Sequence, residues 1–326
     1  VARPLMTRGP AGVAALLLLA GCVNIQSPLA PTGDQANALH RLLVLMTIVC
    51  GAVYAVVLGG LVWSLCRARQ RLKRDRDDRL LDRGLWTAAA VIVVGLTVLI
   101  VGSFVAERAL VATRDDPVLH VRVTGHQWWW RIQYRDPASG GWVETANELH
   151  LPVGRTTRVS LGSADVIHSF WVPNVAGKID MIPGRRNQID LTPRRAGWFR
   201  GQCAEFCGTQ HAHMALDVKV DAPADFDRWL IAQARPAGTG APATFVRSCA
   251  ACHTVRGTSA VGRAGPDLTH VAARRSIAAG TLPMTRGALQ GWIQQPQALK
   301  PGTSMPAVPM SAADGLAVAD YVAGLR

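Results

Sequence analysis

Two stretches of this chain run uncharged for longer than a soluble core helix normally does. Residues 42–66 are 25 positions without Asp, Glu, Lys or Arg, and residues 84–106 are 23 more. At about 1.5 Å rise per residue, either helix would exceed the roughly 30 Å of bilayer hydrocarbon. The pattern predicts a two-helix transmembrane hairpin, in preference to two buried helices of a soluble protein. The connector, residues 67–83, carries eight Lys/Arg and four Asp, whereas residues 23–40 hold no Lys or Arg. The positive-inside bias then puts the connector in the cytoplasm and both flanks outside. Cys50 and Cys66 fall within the first span and are expected to pack there.

This arrangement also bears on the charge. The chain has 35 Lys+Arg against 22 Asp+Glu, a net charge of +13. Nucleic-acid binding is the usual reading of such a number. Here eight of the 35 crowd into the connector, where the membrane explains them, the rest lie thinly along the chain, and no nucleic-acid partner is expected. Ahead of the hairpin, Arg3 and Arg8 precede the short apolar run of residues 11–20 and the sequence Leu19-Ala20-Gly21-Cys22. The run is too short to span a bilayer. Residues 1–22 read as a lipoprotein-type signal peptide with Cys22 as the lipidated residue; a plain signal peptide or a third helix is the alternative.

After residue 106 the period changes to two. Leu119, Val121 and Val123 alternate with polar neighbours, as do Ile189 and Leu191, and Leu216, Val218 and Val220. Turn signals such as Ser139-Gly140-Gly141 and Ile182-Pro183-Gly184 separate the segments. Short alternating strands at this spacing predict a β-sandwich over residues 107–233. A Pro/Gly/Ala-rich linker follows at 234–243. The remainder, 244–326, has helical patterning. With residues 23–106 as N-terminal segment and anchor, the chain reads as a multidomain membrane protein.

Seven cysteines are present, an odd count that excludes a disulfide framework using all of them. Four fall in two close pairs. In the first, Cys203, Cys207, His211, His213 and Met214 lie within one short segment just before a strand. Thiolate, imidazole and thioether together favour copper. A mononuclear blue-copper centre needs only one Cys; the second thiolate can bridge to a second copper. Two metals sharing one electron hole change little in geometry on transfer, which suits an electron relay. A second imidazole is needed, from His168 or from His213. Other readings of this pair are a disulfide, a zinc site with His211 and His213, or a thioredoxin-like copper chaperone, although Gly208 stands where such chaperones usually carry Pro.

The second pair lies in Cys249-Ala250-Ala251-Cys252-His253, the Cys-x-x-Cys-His haem attachment pattern. Two thioethers fix the porphyrin and the adjacent imidazole is the proximal ligand. A redox dithiol or zinc half-site is the bland reading. Downstream, Lys300-Pro301-Gly302-Thr303-Ser304-Met305-Pro306 resembles the distal-ligand loop of class I cytochromes c, with Met305 in the ligand place and Met310 and Met284 as rivals. Met/His ligation raises a haem potential, as an electron-accepting site needs. Trp292 and Tyr321 are expected to pack on the haem or the terminal helices.

The copper segment has the form Cys-x-Glu-x-Cys-x-x-x-His-x-x-Met. With Val166-Ile167-His168-Ser169-Phe170, Gly125-His126-Gln127-Trp128-Trp129-Trp130, Trp171-Val172-Pro173 and Lys178-Ile179-Asp180-Met181-Ile182-Pro183-Gly184-Arg185, it resembles cytochrome c oxidase subunit II over roughly residues 30–232. The resemblance implies a cupredoxin-like Greek-key β-sandwich and, with the last 83 residues, an all-α class I cytochrome c domain, the arrangement of a caa(3)-type haem-copper oxidase. It implies His168, Cys203, Cys207, His211 and Met214 as side-chain ligands of binuclear CuA. Glu205 would ligate copper through its carbonyl and help bind Mg²⁺ at the subunit I boundary through its carboxylate. Trp128 would be the residue through which electrons reach CuA; Trp129 and Trp130 are read as packing.

The implied partners are oxidase subunits I and III and a soluble or membrane cytochrome c or other donor. The implied place is the bacterial inner membrane, with both redox domains on the periplasmic side, and the implied activity is oxygen reduction on another chain, coupled to proton pumping. Alternatives are a CuA-type nitric-oxide reductase subunit and a stand-alone membrane-anchored electron carrier. One departure stands out. Where many subunits II carry a Glu before the Trp-Thr of the second helix, this chain has Arg83 ahead of Trp86-Thr87, with Asp82 beside it. No proton-uptake residue is assigned.

Overall fold

The computed structural model describes residues 24–68, 78–111, 119–136, 138–238 and 240–326. Residues 1–22, expected as a signal peptide ending in Cys22, and most of the basic connector lie outside the described residues. The chain forms two units, one made of the helix pair and one of the segments on either side of it.

The helix pair comprises α1 (Asp34–Ala68) and α2 (Asp78–Val111). Both are long and apolar enough to cross a membrane, over Asp34–Arg67 and Arg79–Arg108. Glycines set their approach. A Cβ on Gly102 would stand 2.6 Å from Leu45 Cδ2, and one on Gly95 would touch Val49. Small residues allow such close contact where no hydrophobic drive from water exists. Thr47, Thr87 and Thr97 donate back to the carbonyls four residues earlier, each at 2.8 Å, which satisfies these three hydroxyls within their own helix. Cys50 and Cys66 do not pack between the helices. Both are exposed on the outer face of the pair, because Leu42, Leu45 and Val49 occupy the seam instead.

The other unit contains the sandwich. One sheet has the order β3-β2-β1-β5-β8 and the second β4-β10-β9-β6-β7. The strands are β1 (Leu119–His126), β2 (Trp129–Arg135), β3 (Trp142–Ala146), β4 (Glu148–Pro152), β5 (Thr157–Ser163), β6 (His168–Trp171), β7 (Ile179–Met181), β8 (Asn187–Leu191), β9 (Gly197–Cys203) and β10 (Ala215–Asp221). β1–β5 and β10–β4 pair in parallel and the other neighbours antiparallel, so the chain crosses repeatedly between sheets. Alternate residues of β1 point inward, giving Leu119, Val121 and Val123 to the core with Trp130, Ile132, Leu161 and Phe170. Period-2 patterning therefore fixes which face of each strand is dry.

α3 (Pro223–Ala234) closes the sandwich by burying Phe226 and Leu230. The last part has its own core of Phe245, Val255, Leu289, Ile293 and Val318. Its helices are α4 (Ala243–Ser248), α5 (Arg286–Gln294), α6 (Pro296–Leu299) and α7 (Ala312–Gly324). Thr285 and Ser311 cap α5 and α7 by accepting from the amides of Ala288 and Asp314. To this helical set the structure adds a short hairpin, β11 (Ser276–Ile277) with β12 (Leu282–Pro283). Its tip reaches the sandwich, where Ala215 N–H donates to Ala279 O at 3.0 Å.

Candidate electron-relay site

The first cluster forms where two neighbouring strands of the second sheet end together. β6 and β9 pair with Phe170 opposite Cys203, which sets His168 near the start of one strand and Cys203 at the end of the other. The loop after Cys203 is closed at its base by Cys203 N–H donating to Met214 O at 2.9 Å, and Ala204 N–H donates to Ser169 O at 3.0 Å. A 3-10 turn, His211–His213, returns the chain to β10. Sequence-distant and sequence-local donors thus meet on a rigid sheet edge.

The six residues expected around copper come together. Cys203 Sγ lies 3.7 Å from His168 Nδ1, 3.8 Å from Cys207 Sγ and 3.2 Å from the Glu205 carbonyl oxygen. Cys207 Sγ lies 3.6 Å from His211 Nδ1 and 3.8 Å from Met214 Sδ. Among the described residues, His168, Cys203 and Cys207 form a buried cluster whose ligand atoms all lie within 4.8 Å of one another. His213 is turned away, with Nδ1 on Gln210 Oε1 at 2.8 Å. Two sulfurs at the centre, with one imidazole on each side and a thioether and a carbonyl beyond, fit a pair of soft metal ions.

The electrostatics are those of a ligand set. The hydrogen bond shared with Cys207 holds the Cys203 thiol far below its usual range, and the same bond pushes Cys207 up. Burial works to lower His168, but hydrogen bonds with Cys203 and Asp165 outweigh it and raise it. Asp165 Oδ1 sits 2.8 Å from His168 Nε2, fixing the ring so that Nδ1 faces sulfur. Sequence reading missed this carboxylate, although its place three residues before His168 was a usable signal. Gly125 completes the fit, since a Cβ there would stand 2.7 Å from His168 Cδ2.

The second site is an apolar cleft lined by Cys249, Cys252, His253, Leu289, Met305 and Met310, with Trp292 also on its wall. Met284 packs against the helical core and does not line the cleft. Tyr321 sits edge-on to Phe245 at 4.9 Å. His253 Nδ1 donates to Pro266 O at 2.8 Å, which leaves Nε2 free to ligate. Burial lowers its pKa, so the ring is neutral, as a ligand must be. A Cβ on Gly265 would stand 2.6 Å from His253 Cε1, so only glycine fits against that ring. Two thiols and an oriented imidazole on an apolar wall, with two methionines, fit a covalent haem.

Trp128 stands between the two sites. Its Nε1–H donates to Cys207 O at 3.0 Å, and Gln127 Nε2 donates to the same oxygen at 2.7 Å. On its other side the ring lines the haem cleft. Gly208 of the copper loop and Gly302 of the methionine loop flank it, with their Cβ positions 3.0 Å from Cζ2 and 3.5 Å from Cη2. Trp130 is fully buried against Phe170, and Trp129 stacks on His126 at 4.4 Å. Trp130 packs in the core as expected, and Trp129, only partly buried, also lines the haem cleft.

Comparison with known proteins bears on these sites. A family profile described as cytochrome C oxidase subunit II, periplasmic domain, matches residues 137–221, and one described as cytochrome c matches residues 240–326. The chain is 31% identical to cytochrome c oxidase subunit 2 of Alkalihalophilus pseudofirmus over 329 residues, covering 95% of this chain and 94% of that one. It is 30% identical to the subunit 2 of Bacillus sp. strain PS3, covering 89% and 88%. The periplasmic domain of subunit II of cytochrome oxidase from Bradyrhizobium japonicum is 34% identical over 38% of this chain and 97% of that one, with a TM-score of 0.35. The chain, with its two apolar helices, cupredoxin-like sandwich and cytochrome c domain, belongs to the cytochrome c oxidase subunit 2 family.

Proposed function

We propose that this chain receives electrons at a haem c held by Cys249, Cys252, His253 and Met305, and delivers them to binuclear CuA held by His168, Cys203, Glu205, Cys207, His211 and Met214. Each group, when bound, exchanges one electron at a time. The chain's own contribution is placement. His253 is turned by Pro266 and His168 by Asp165, so each ring offers its remaining nitrogen. The cysteine pair is buried, which excludes water from the sulfurs. Trp128 carries the reading, because one indole touches both the Cys207 carbonyl and the haem cleft.

From CuA the path continues to the haem-copper centre of subunit I, for oxygen reduction coupled to proton pumping. We assign residues 107–233 to copper and 244–326 to haem, behind a leader at 1–22 and an anchor at 23–106. The anchor lies in the bacterial inner membrane with both redox domains in the periplasm, beside subunits I and III. The exposed Glu205 carboxylate is offered to Mg²⁺ at the subunit I boundary. A cytochrome c or other donor supplies the haem. Fusion keeps that haem at high effective concentration beside copper.

The test is metal and haem content with electron paramagnetic resonance, on the purified oxidase and on a chain ending at residue 233. Two coppers sharing one unpaired electron are expected in both, and covalent haem only in the full chain. The shortened chain should lose rapid oxidation of the native donor while its copper signal persists. Full donor oxidation without residues 234–326 would sink the haem route.

A further inference from the structure

Lys300, the residue just before the Pro-Gly-Thr-Ser-Met loop, is only 1% exposed. Its ammonium meets three carbonyl oxygens. Nζ donates to Trp128 O at 3.0 Å, to His213 O at 2.8 Å and to Ala278 O at 2.9 Å. Trp128 lies in the turn between β1 and β2, His213 in the copper loop, and Ala278 in the β11–β12 hairpin of the cytochrome. Three N–H donors therefore join three segments from two domains. Among the described residues no carboxylate lies within ion-pair distance. Burying a charge with dipoles alone is costly unless every donor is met, and here all three are.

Other bonds cross the junction away from the lysine, among them Arg256 Nη1 to Glu144 O at 3.3 Å, Ser276 Oγ to Asp217 Oδ2 and Ala215 N–H to Ala279 O at 3.0 Å, and further ones involve the same loops. Gln210 Nε2 donates to Pro301 O at 2.9 Å and Ser304 Oγ to Gln127 O at 3.3 Å. Further away, Arg275 N–H donates to Glu148 Oε2 at 2.7 Å. Among the described residues, only the lysine reaches the Trp128 backbone, the copper loop and the cytochrome hairpin at once. Apart from each other, neither domain could offer it this set of acceptors.

We infer that Lys300 is a positioning residue for electron transfer: its ammonium pins the methionine loop of the cytochrome domain onto Trp128 and the copper loop, holding the two redox domains in register. Burial lowers its pKa to about 8, so the pin remains charged at neutral pH. The inference rests on the haem-to-copper route proposed above, and the closing experiment separates the two.

The experiment uses the intact oxidase with Lys300→Met and Lys300→Gln. Haem c is photoreduced with a ruthenium dye and the arrival of the electron at CuA is followed optically. Amide hydrogen exchange is measured on the same samples at Ala215 and Arg275, whose N–H groups cross the junction. Charge-assisted hydrogen bonds are strong enough that the Met variant should show about tenfold faster exchange there and about tenfold slower transfer. The Gln variant, which keeps a donor, should fall between. Haem absorption and the copper resonance signal should be unchanged in both. Unchanged transfer and exchange in the Met variant would overturn the pin, and so would an altered copper signal, which would assign Lys300 to folding of the copper loop. No transfer even in the unaltered oxidase would instead overturn the route. Should the Met variant not assemble, the Gln variant decides by the same criteria.

Discussion

The indole nitrogen of Trp128 donates to the backbone carbonyl of Cys207 at 3.0 Å, so the ring beside the haem cleft is bonded directly to a residue of the copper loop. Trp128→Phe keeps a ring between Gly208 and Gly302 but loses that donor. Transfer between haem and copper should slow, and slow further in Trp128→Ala, with haem and copper content unchanged. The lost hydrogen bond should lower stability by about 1 kcal/mol. Flash photoreduction gives the rates and denaturant titration the stability. Equal transfer rates in all three proteins would remove Trp128 from the path.

The glycines on either side of that ring are not equivalent. Gly302 has φ +83° and room for a methyl, so Gly302→Ala should cost only the backbone term, about 1–2 kcal/mol. Gly208 has φ +113°, and a Cβ there would also press on Trp128 Cζ2 at 3.0 Å and Gln127 Nε2 at 3.1 Å. Gly208→Ala should cost more and should broaden the copper resonance signal, which Gly302→Ala should leave alone. Equal losses in the two variants would mean that the copper loop yields freely.

Met305 and Met310 both line the haem cleft. With Met305 as ligand, Met305→Leu should abolish the methionine-to-iron charge-transfer band of the oxidised haem and lower its potential, while Met310→Leu should leave both in place. The reverse pattern would move the ligand role to Met310.

His150 provides a pH signature away from either site. Its Nδ1 lies 2.7 Å from Asp221 Oδ2 and its Nε2 3.1 Å from Glu148 Oε1, and the ring stacks on Trp229 at 3.9 Å. Burial works to lower its pKa, but the two carboxylates prevail and raise it above the ordinary 6.5. Protonated His150 therefore stabilises the fold fully below about pH 6.5, and that contribution is lost as pH rises through the folded value. The melting temperature of a chain of residues 114–326, without the helix pair, should fall over this alkaline range, and less steeply in His150→Gln. An identical slope in the variant would exclude His150 as the source.

Much of the chemistry was legible in the sequence because it is encoded locally. Cys203, Cys207, His211 and Met214 occupy 12 positions, and Cys249, Cys252 and His253 occupy 5. Strand alternation was equally readable, since Val121 and Val123 can only face one way. The residues that orient these groups were harder to see. Pro266 acts through a carbonyl that any residue would offer, and Asp165 resembles any loop aspartate. Lys300 was invisible as a buried group because lysine is almost always at the surface. Its partners lie 172, 87 and 22 residues away, distances that no local pattern spans. The outward placement of Cys50 and Cys66 has a similar origin, because a uniformly apolar helix carries no stripe to mark its inner face.

The junction between the two redox domains is written largely in main-chain atoms. Lys300 addresses the carbonyls of Trp128 and His213 across it and that of Ala278 on its own side; Gln210 addresses that of Pro301 and Arg200 that of Gly280. A carbonyl is the same whatever side chain its residue bears. Substitution at 213 or 278 should therefore be absorbed with little loss, whereas deletion of a single residue from either loop would shift several acceptors at once. In descendants of this chain, loop length rather than loop composition is the quantity selection must guard.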